Sequence, residues 1–411
     1  MASFAYTVRD ATGTVRKGML DGENESIVVK RLQEQGVTVV KIRQTKLTKP
    51  KSAGGGFGLV RLTDLAIFCR QFSTMIDAGV SLVRCLSVLG EQTTSPKLRR
   101  IIADIEQEVQ GGQTLTKAMG KYPGVFNTLF LGLVHAGEVG GALEESLQRL
   151  SMFLEKDLEL RRKVKGAMTY PTIVMVVALC IIIGLVTFIV PKFLELFQDL
   201  GMKPSEMPVT TVMLMNFSHF LTSKWWICII VVVAFFTAFK LFVRTRFGRR
   251  VLDRIKLKMP VFGKLNHKVC LARFSRTLAT LLSSGVPILS AMETVAGTVA
   301  NEILGDAILE ARARIREGDR IGDPLQRSKM FPPMVVQMIS IGEESGSLDN
   351  MLMKVADFYE SEVDAALESL TSAIEPLMIV VLGVAVGFIV VSMFMPLLAI
   401  ITNLSSGSGG N

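Results

Sequence analysis

The 411-residue sequence lacks the motifs that identify the common nucleotide-binding and hydrolytic enzymes. It contains neither GxxxxGKS nor GxxxxGKT, no GxGxxG that follows a strand, and neither GxSxG nor HExxH. The glycines at 54–56 stand in a polar linker and precede no helix start on which a phosphate could sit. We therefore expect a protein that is not an enzyme and binds no organic cofactor.

Metal-site and disulfide patterns are also missing. The three histidines, His135, His219 and His267, are too scattered to form one metal site by local spacing. The five cysteines are odd in number and none are spaced as CxxC. Reduced thiols packed in helices are the expected state.

Charge is scarce and apolar residues are abundant. Only 20% of the residues are charged and 49% are hydrophobic, with a mean hydropathy of +0.41. These values favour a membrane protein over a soluble one. The first residues show no apolar core or cleavage site, so no secretory signal is expected. The net charge of +9 is concentrated beside the apolar runs, which membrane topology explains without nucleic acid.

Three segments are predicted to span a membrane: 166–191, 224–243 and 373–404. The middle one is adequate only if the Lys240 ammonium reaches towards the interface. The basic stretches 161–165 and 244–258 are expected on the cytoplasmic side. The connector 192–223 and the tail 405–411 are then periplasmic, with the N-terminus inside and the C-terminus outside.

The sequence repeats itself at an offset of about 205 residues. FCRQFSTMIDAGVSLVRCL, from Phe68, aligns with FSRTLATLLSSGVPILSAM, from Phe274, and HAGEVGGALEESL aligns with SIGEESGSLDNML. The match continues into the spans, where Pro171 and Pro191 correspond to Pro376 and Pro396. The repeated unit is thus a helical domain with its own span. The middle span restores the orientation, which predicts a pseudo-twofold axis along the membrane normal.

Within each repeat the apolar spacing is helical. Thr63 is predicted to cap a helix from Asp64 to Ala78, which Gly79 ends in the left-handed region. One apolar stripe has a 3.6-residue period and consists of Leu98, Ile101, Ile102, Ile105 and Val109. Antiparallel helical bundles are therefore predicted over 61–165 and 244–372.

The first 45 residues have a different pattern. Phe4, Tyr6 and Val8 alternate as in a strand, a helical stretch covers Ser26 to Gln35, and VTVVKI follows. A small ββαβ module is predicted over 1–45, with a flexible linker over 46–60. The predicted fold class is mainly α: two repeated cytoplasmic antiparallel bundles, three transmembrane helices and a small N-terminal α/β module.

Two acids at equivalent positions are candidate functional residues. Glu138 and Glu343 could bind a divalent cation through oxygen ligands. Alternatively, each lies in a turn between helices, where the glycines take positive φ and the acid stabilises the start of the next helix. The second interpretation is favoured, because one acid per turn is too few for a closed site.

The start of the third span contains a further acid. Glu375 precedes Pro376, whereas Tyr170 stands at the equivalent place before Pro171. Glu375 is either a carboxylate at the membrane interface or a contact to the membrane helix of a partner. Other candidate partner-binding residues are Arg70, Arg276 and Glu344.

The repeated segments, together with HAGEVGGALEESLQRLSMFLEKDLELRRKVKGAMTYP and GEESGSLDNMLMKVADFYESEVDAALESLTSAIEPLMIVVLG, resemble the PilC/GspF family along essentially the whole chain. That family comprises inner-membrane platform proteins of type IV pili and type II secretion systems. The stretch EVDAALESLTSAIEPLMIVVLG is more similar to the pilus branch. A divalent cation is associated with the GE turn in some members, although Val139 makes the first turn less acidic than the second.

This resemblance implies a platform that couples hexameric assembly and retraction ATPases to the insertion or removal of pilin subunits. It also implies contact with other inner-membrane alignment proteins and a homo-oligomer, without nucleic acid. ATP hydrolysis would belong to the partner, and the missing phosphate loop agrees with this implication of the resemblance. A type II secretion platform is the first alternative. A transporter or a signalling receptor is a weaker one, since the spans lack polar pathways and no sensor domain is evident.

Overall fold

The computed structural model describes residues 2–9, 15–22, 38–45, 59–199, 207–260 and 262–407. They belong to two units, Met1–Leu59 and Val60–Asn411. In the first unit, β1 (Ala2–Arg9), β2 (Val15–Gly22) and β3 (Thr38–Thr45) form an antiparallel sheet in the order β2-β1-β3. The helix expected over Ser26 to Gln35, and nearly all of the linker, lie outside the described residues.

The first repeat contains six helices that end in a long one entering the first apolar segment. They are α1 (Leu62–Asp77), α2 (Leu82–Gln92), α3 (Pro96–Gln110), α4 (Leu115–Gly120), α5 (Thr128–Gly140) and α6 (Leu143–Gly184). A π-helical turn, Leu185–Ile189, joins α6 to α7 (Val190–Asp199). Two helices follow, α8 (Val209–Ser223) and α9 (Trp225–Arg244).

The second repeat has the same succession, preceded by α10 (Arg246–Lys258). Its helices are α11 (Phe262–Ser283), α12 (Ile288–Thr298), α13 (Glu302–Arg316), α14 (Gly322–Arg327), α15 (Pro333–Ser345) and α16 (Leu348–Gly407). The long α16 continues without interruption from the bundle through the third apolar segment.

Glycines end equivalent helices of the two repeats. The pairs with positive φ are Gly79 and Gly285 (76° and 76°), Gly112 and Gly318 (84° and 106°), and Gly141 and Gly346 (69° and 68°). Glycine occupies this left-handed region without steric cost. The helix end predicted at Gly79 is confirmed, but the predicted cap is wrong. Helix α1 begins at Leu62 after Arg61, and Thr63 lies in its first turn without capping it.

One hydrophobic core runs through both helical bundles. It includes the buried rings of Phe68, Phe72 and Phe130 from the first repeat and of Phe274 and Phe331 from the second. Because a single core cannot be divided by a bilayer, both bundles lie on the same side of any membrane that the spans cross. The structure thus supports the same-side arrangement that the repeat predicts.

Three helical segments are long and apolar enough to cross a membrane, as the sequence predicts: Leu143–Phe197, Trp225–Arg244 and Leu348–Leu398. The first continues to α7, beyond the predicted end at residue 191. The predicted connector also contains α8, an apolar helix that the sequence analysis missed. Helix α8 packs against both long span helices through a cluster that includes Val186, Leu214 and Ile389.

Candidate functional site

The two candidate metal-binding acids each accept hydrogen bonds at the start of a short helix. The Glu138 carboxylate accepts from the backbone N–H of Leu115 (2.6 Å) and Thr116 (3.1 Å) and from the Thr116 hydroxyl (2.7 Å). The Glu343 carboxylate accepts from the Ile321 N–H at 2.9 Å. Each carboxylate therefore satisfies N–H groups at a helix N-terminus, where negative charge is favoured.

The favoured sequence interpretation of these acids is wrong in two respects. Glu138 and Glu343 lie in the last turns of α5 and α15, and not in the connections that follow these helices. Glu138 and Glu343 stabilise α4 and α14, which precede them in the chain, and not the helices that follow them. Among the described residues, no group of three or more His, Cys, Asp or Glu side chains is placed to hold a metal ion. The divalent cation at Glu138 and Glu343 stays a prediction.

The glycine before each acid permits a close helix crossing. A Cβ at Gly137 would lie 2.6 Å from the Ser146 side chain, and one at Gly342 would lie 2.8 Å from the Leu348 Cα. Such distances are far below a normal contact, so only glycine lets α5 and α15 approach the helices that follow them. These two glycines thus serve close packing, whereas Gly141 and Gly346 supply the positive φ.

The two matched arginines form equivalent ion pairs across their bundles. Arg70 on α1 binds Glu155 on α6 through two nitrogens, with Nε 2.6 Å from the carboxylate. Arg276 on α11 binds Glu360 on α16, with Nε at 2.9 Å, and also reaches Asp357 at 2.7 Å. The Arg276 side chain is 12% exposed and that of Arg70 is 49% exposed. The first and last helices of each repeat are joined in this way.

The acids of these pairs were not among the predicted site residues, although the sequence contains a signal for them. Glu155 and Glu360 are separated by the same offset as the other matched residues. The third candidate, Glu344, lies 3.2 Å from Arg320 in an exposed pair. Exposed pairs of this kind exchange partners at little cost. The assignment of Arg70, Arg276 and Glu344 to partner binding stays a prediction.

Further ion pairs join one repeat to the other. Asp157 on α6 lies 3.3 Å from Arg273 on α11, and Lys163 on α6 lies 2.7 Å from Asp364 on α16. Burial lowers the pKa of Arg273, while the neighbouring Asp157 opposes that shift. A guanidinium remains charged under these conditions. The long helices are thus held together just before they enter the apolar segments.

A proline near the end of the first span leaves a carbonyl without a backbone donor. In the π-helical turn, the Val190 N–H donates to the carbonyl of Leu185, five residues earlier. The next donor in that register would be Pro191, which has no N–H. The Ser218 hydroxyl of α8 instead donates to the Val186 carbonyl, which this proline leaves without a backbone donor, at 2.7 Å.

The matching proline of the third span also leaves a carbonyl that a hydroxyl group of α8 binds. Pro396 cannot donate to the Ser392 carbonyl four residues earlier. The Thr211 hydroxyl of α8 supplies that hydrogen bond at 2.5 Å. Both hydroxyl groups are buried, and an unpaired carbonyl in an apolar region costs several kcal/mol. Helix α8 therefore bridges the equivalent proline positions of the two span helices.

An apolar groove lies between the first and third span helices. It has a volume of about 590 Å³, and its walls include Tyr170, Pro171 and Met175 on α6 and Glu375 and Met378 on α16. Glu375 is exposed and forms no ion pair with another described residue. An uncompensated carboxylate beside an apolar groove is suited to a membrane helix that carries a cation at the same level.

Comparisons with known proteins agree with this architecture. The profile described as "Type II secretion system (T2SS), protein F" matches residues 68–191 and again 274–396. The profile of the N-terminal domain of type II secretion system protein F matches residues 1–43. The doubled match coincides with the two repeats, each including its span.

Named relatives cover almost the whole chain. A type IV pilus assembly protein PilC from Thermus thermophilus is 44% identical over 98% of this chain and 100% of the relative. One of the same name from Myxococcus xanthus is 41% identical, over 97% and 95%. A type II secretion system protein F from Vibrio cholerae is 33% identical, over 97% and 98%.

Proposed function

The chain belongs to the PilC/GspF family of type II secretion system protein F, and on that basis we propose that it is the inner-membrane platform protein of a type IV pilus machine. The observation that carries this proposal is the full-length identity of 44% and 41% to two pilus assembly proteins, against 33% to the secretion protein. The platform would couple cytoplasmic assembly and retraction ATPases to the insertion or removal of pilin.

The continuous helices give this coupling a physical route. Helices α6 and α16 each begin in a bundle and run into an apolar segment. They are joined by the ion pair of Lys163 and Asp364 before the segments begin, and by α8 near the segment ends. A displacement of one bundle would therefore be transmitted along a continuous helix into its span.

The proposed placement has the bundles, and the N-terminus, in the cytoplasm and the C-terminus in the periplasm. The basic segments 161–165 and 244–258 support this orientation. The N-terminal module and first bundle would contact the ATPase ring, with Arg70 available on the first bundle. Alignment proteins of the inner membrane, and further copies of the platform, would complete the assembly without nucleic acid.

Pilin is the proposed occupant of the groove at Glu375. A pilin subunit held in the membrane would lay its apolar helix between α6 and α16, and Glu375 would pair with a cationic group on it. Disulfide crosslinking tests this placement. A cysteine introduced as Met175→Cys or Met378→Cys should crosslink to a cysteine in the pilin membrane helix. Cysteines at Val231 or Val233 on α9, which also face outwards, provide the control that should not crosslink.

A gene deletion separates the pilus function from its closest alternative. In the native host, loss of the protein should abolish pilin in the sheared surface fraction and leave secreted type II substrates unchanged. The reverse result would assign the chain to type II secretion. Removal of residues 1–45 should weaken co-purification with the assembly ATPase, and unchanged binding would remove the N-terminal module from that contact.

A further inference from the structure

Helix α10 begins at the boundary where the second span ends. Only Thr245 separates it from α9, and this residue is extended (φ −76°, ψ 147°). The Thr245 side chain caps α10 by accepting from the Gly248 N–H at 3.0 Å. A Cβ at Gly248 would lie 1.9 Å from the Phe242 carbonyl oxygen. The chain thus turns sharply, and α10 departs from the axis of α9 at the level of the membrane surface.

One side of α10 is fixed to the second bundle. Arg249 and Arg250 pair with Glu302 and Asp306 of α13, at 3.2 Å and 2.9 Å. The buried Asp253 accepts a hydrogen bond from the Glu302 N–H at 3.1 Å and so helps to cap α13. Helix α10 therefore has a defined rotation about its own axis, which also fixes the direction of the face beside these ion pairs.

The face beside this contact combines apolar and cationic residues on one stripe, which consists of Phe247, Val251, Arg254, Ile255 and Lys258. These positions recur at helical spacing and line a groove of about 830 Å³ beside α13. Met259 and the ion-paired Arg250 of α10 complete its lining with Ile303 and Asp306 of α13. Phe247 is 73% exposed and Ile255 is 54% exposed. Arg254 and Lys258 form no ion pair with the residues that the structure describes.

We propose that this stripe is a binding site for an anionic phospholipid. Exposed aromatic and aliphatic side chains beside unpaired cations are typical of helices that lie in the membrane interface. The apolar residues would contact the upper acyl chain, and Arg254 and Lys258 would bind the headgroup phosphate. Free phosphate would not use the apolar residues. The position of α10 directly after a span favours a lipid over an acidic protein.

This site goes beyond the platform function and does not depend on it. It would hold the second bundle against the membrane surface through α10 and α13, next to the span that reverses the chain direction. An anionic lipid would thus act as a structural ligand of the second repeat.

The test uses the full chain with one tryptophan at the site. Trp225 and Trp226 are replaced by Phe, Phe247 is replaced by Trp, and the protein is reconstituted in vesicles. The vesicles contain phosphatidylcholine mixed with phosphatidylglycerol, and either lipid carries bromine on its acyl chain as a contact quencher. We expect blue-shifted emission, with brominated phosphatidylglycerol preferred over brominated phosphatidylcholine by about fivefold. Adding R254Q and K258Q should remove this preference, so that both brominated lipids quench about equally.

A charge-matched control keeps the test specific. The variant R316Q/K354Q removes the same charge from exposed helical positions elsewhere in the second repeat and should retain the preference. Emission typical of water with no quenching would overturn the proposal, as would equal quenching by both lipids. Shielding of the probe only after a cytoplasmic partner protein is added would overturn it in favour of a protein site. Phospholipid that co-purifies with the chain without the tryptophan changes gives a second readout, which should lose phosphatidylglycerol in R254Q/K258Q alone.

Discussion

The first and second repeats share the contacts that hold each bundle together and differ where other molecules could bind. Both have a close-packing glycine, a carboxylate at a short helix and an arginine pair between first and last helices. They differ at Tyr170 and Glu375, and at Val139 and Glu344. The shared residues explain the fold of either unit. The unshared ones break the pseudosymmetry, and a partner without twofold symmetry would need such differences.

The largest expected effect tests the shared packing. Gly342→Ala places a Cβ 2.8 Å from the Leu348 backbone and 3.1 Å from the Met351 Cβ, so it should destabilise the chain by about 3 kcal/mol. Gly137→Ala should have a similar effect, because its Cβ would lie 2.6 Å from the Ser146 Cβ, which side-chain rotation does not move. Unfolding in mixed detergent micelles measures both. Gly140→Ala is the control, since nothing lies within 4 Å of its Cβ, and it should be neutral or stabilising.

The next effect tests whether α8 serves both spans equally. Ser218→Ala and Thr211→Val each leave a carbonyl near a proline without its donor, at an expected cost of about 2 kcal/mol each. Unfolding in the same micelles is the measurement. Thr222→Val is the control, because its hydroxyl bonds to a carbonyl of its own helix. A loss with Thr222→Val as large as with Ser218→Ala would contradict the role given to the prolines.

Glu138 and Glu343 should contribute different amounts to the free energy of unfolding. Glu138 accepts three hydrogen bonds and Glu343 accepts one from the described backbone. We expect Glu138→Ala to cost about 2 kcal/mol and Glu343→Ala about 1 kcal/mol. Glu310→Ala, at an exposed position of α13, should be near neutral.

Chelation separates the helix-capping role from the predicted cation. If capping alone explains these acids, EDTA leaves the unfolding midpoint of the parent chain unchanged. The losses of unfolding free energy in Glu138→Ala and Glu343→Ala are then the same with and without EDTA. A midpoint that falls on chelation in the parent but not in Glu138→Ala would instead support a divalent cation at that turn.

Much of this arrangement could be predicted from the sequence because repetition exposes it. The offset aligned both bundles and their spans, and Gly79 and Gly141 stand where helices commonly end in the left-handed region. The role of Ser218 was beyond such reasoning, since it depends on where α8 lies against another helix. The helix that Glu138 stabilises was also predicted wrongly, because a carboxylate can accept hydrogen bonds from an earlier helix as easily as from the following one.

The smallest expected effect concerns the arginine pairs and compares the repeats most directly. A double-mutant cycle on Arg70 and Glu155 should give a coupling of about 0.5 kcal/mol, since water reaches both side chains, which are 49% and 40% exposed. The same cycle on Arg276 and Glu360 should give about 1 kcal/mol or more, because the guanidinium is mostly buried and forms charge-assisted bonds. High salt should reduce the first coupling and largely spare the second. Equal couplings would mean that the deeper burial of Arg276 has no energetic consequence.

A weak Arg70 pair leaves that side chain free to exchange Glu155 for an acidic group on a partner, whereas Arg276 is held within its own bundle.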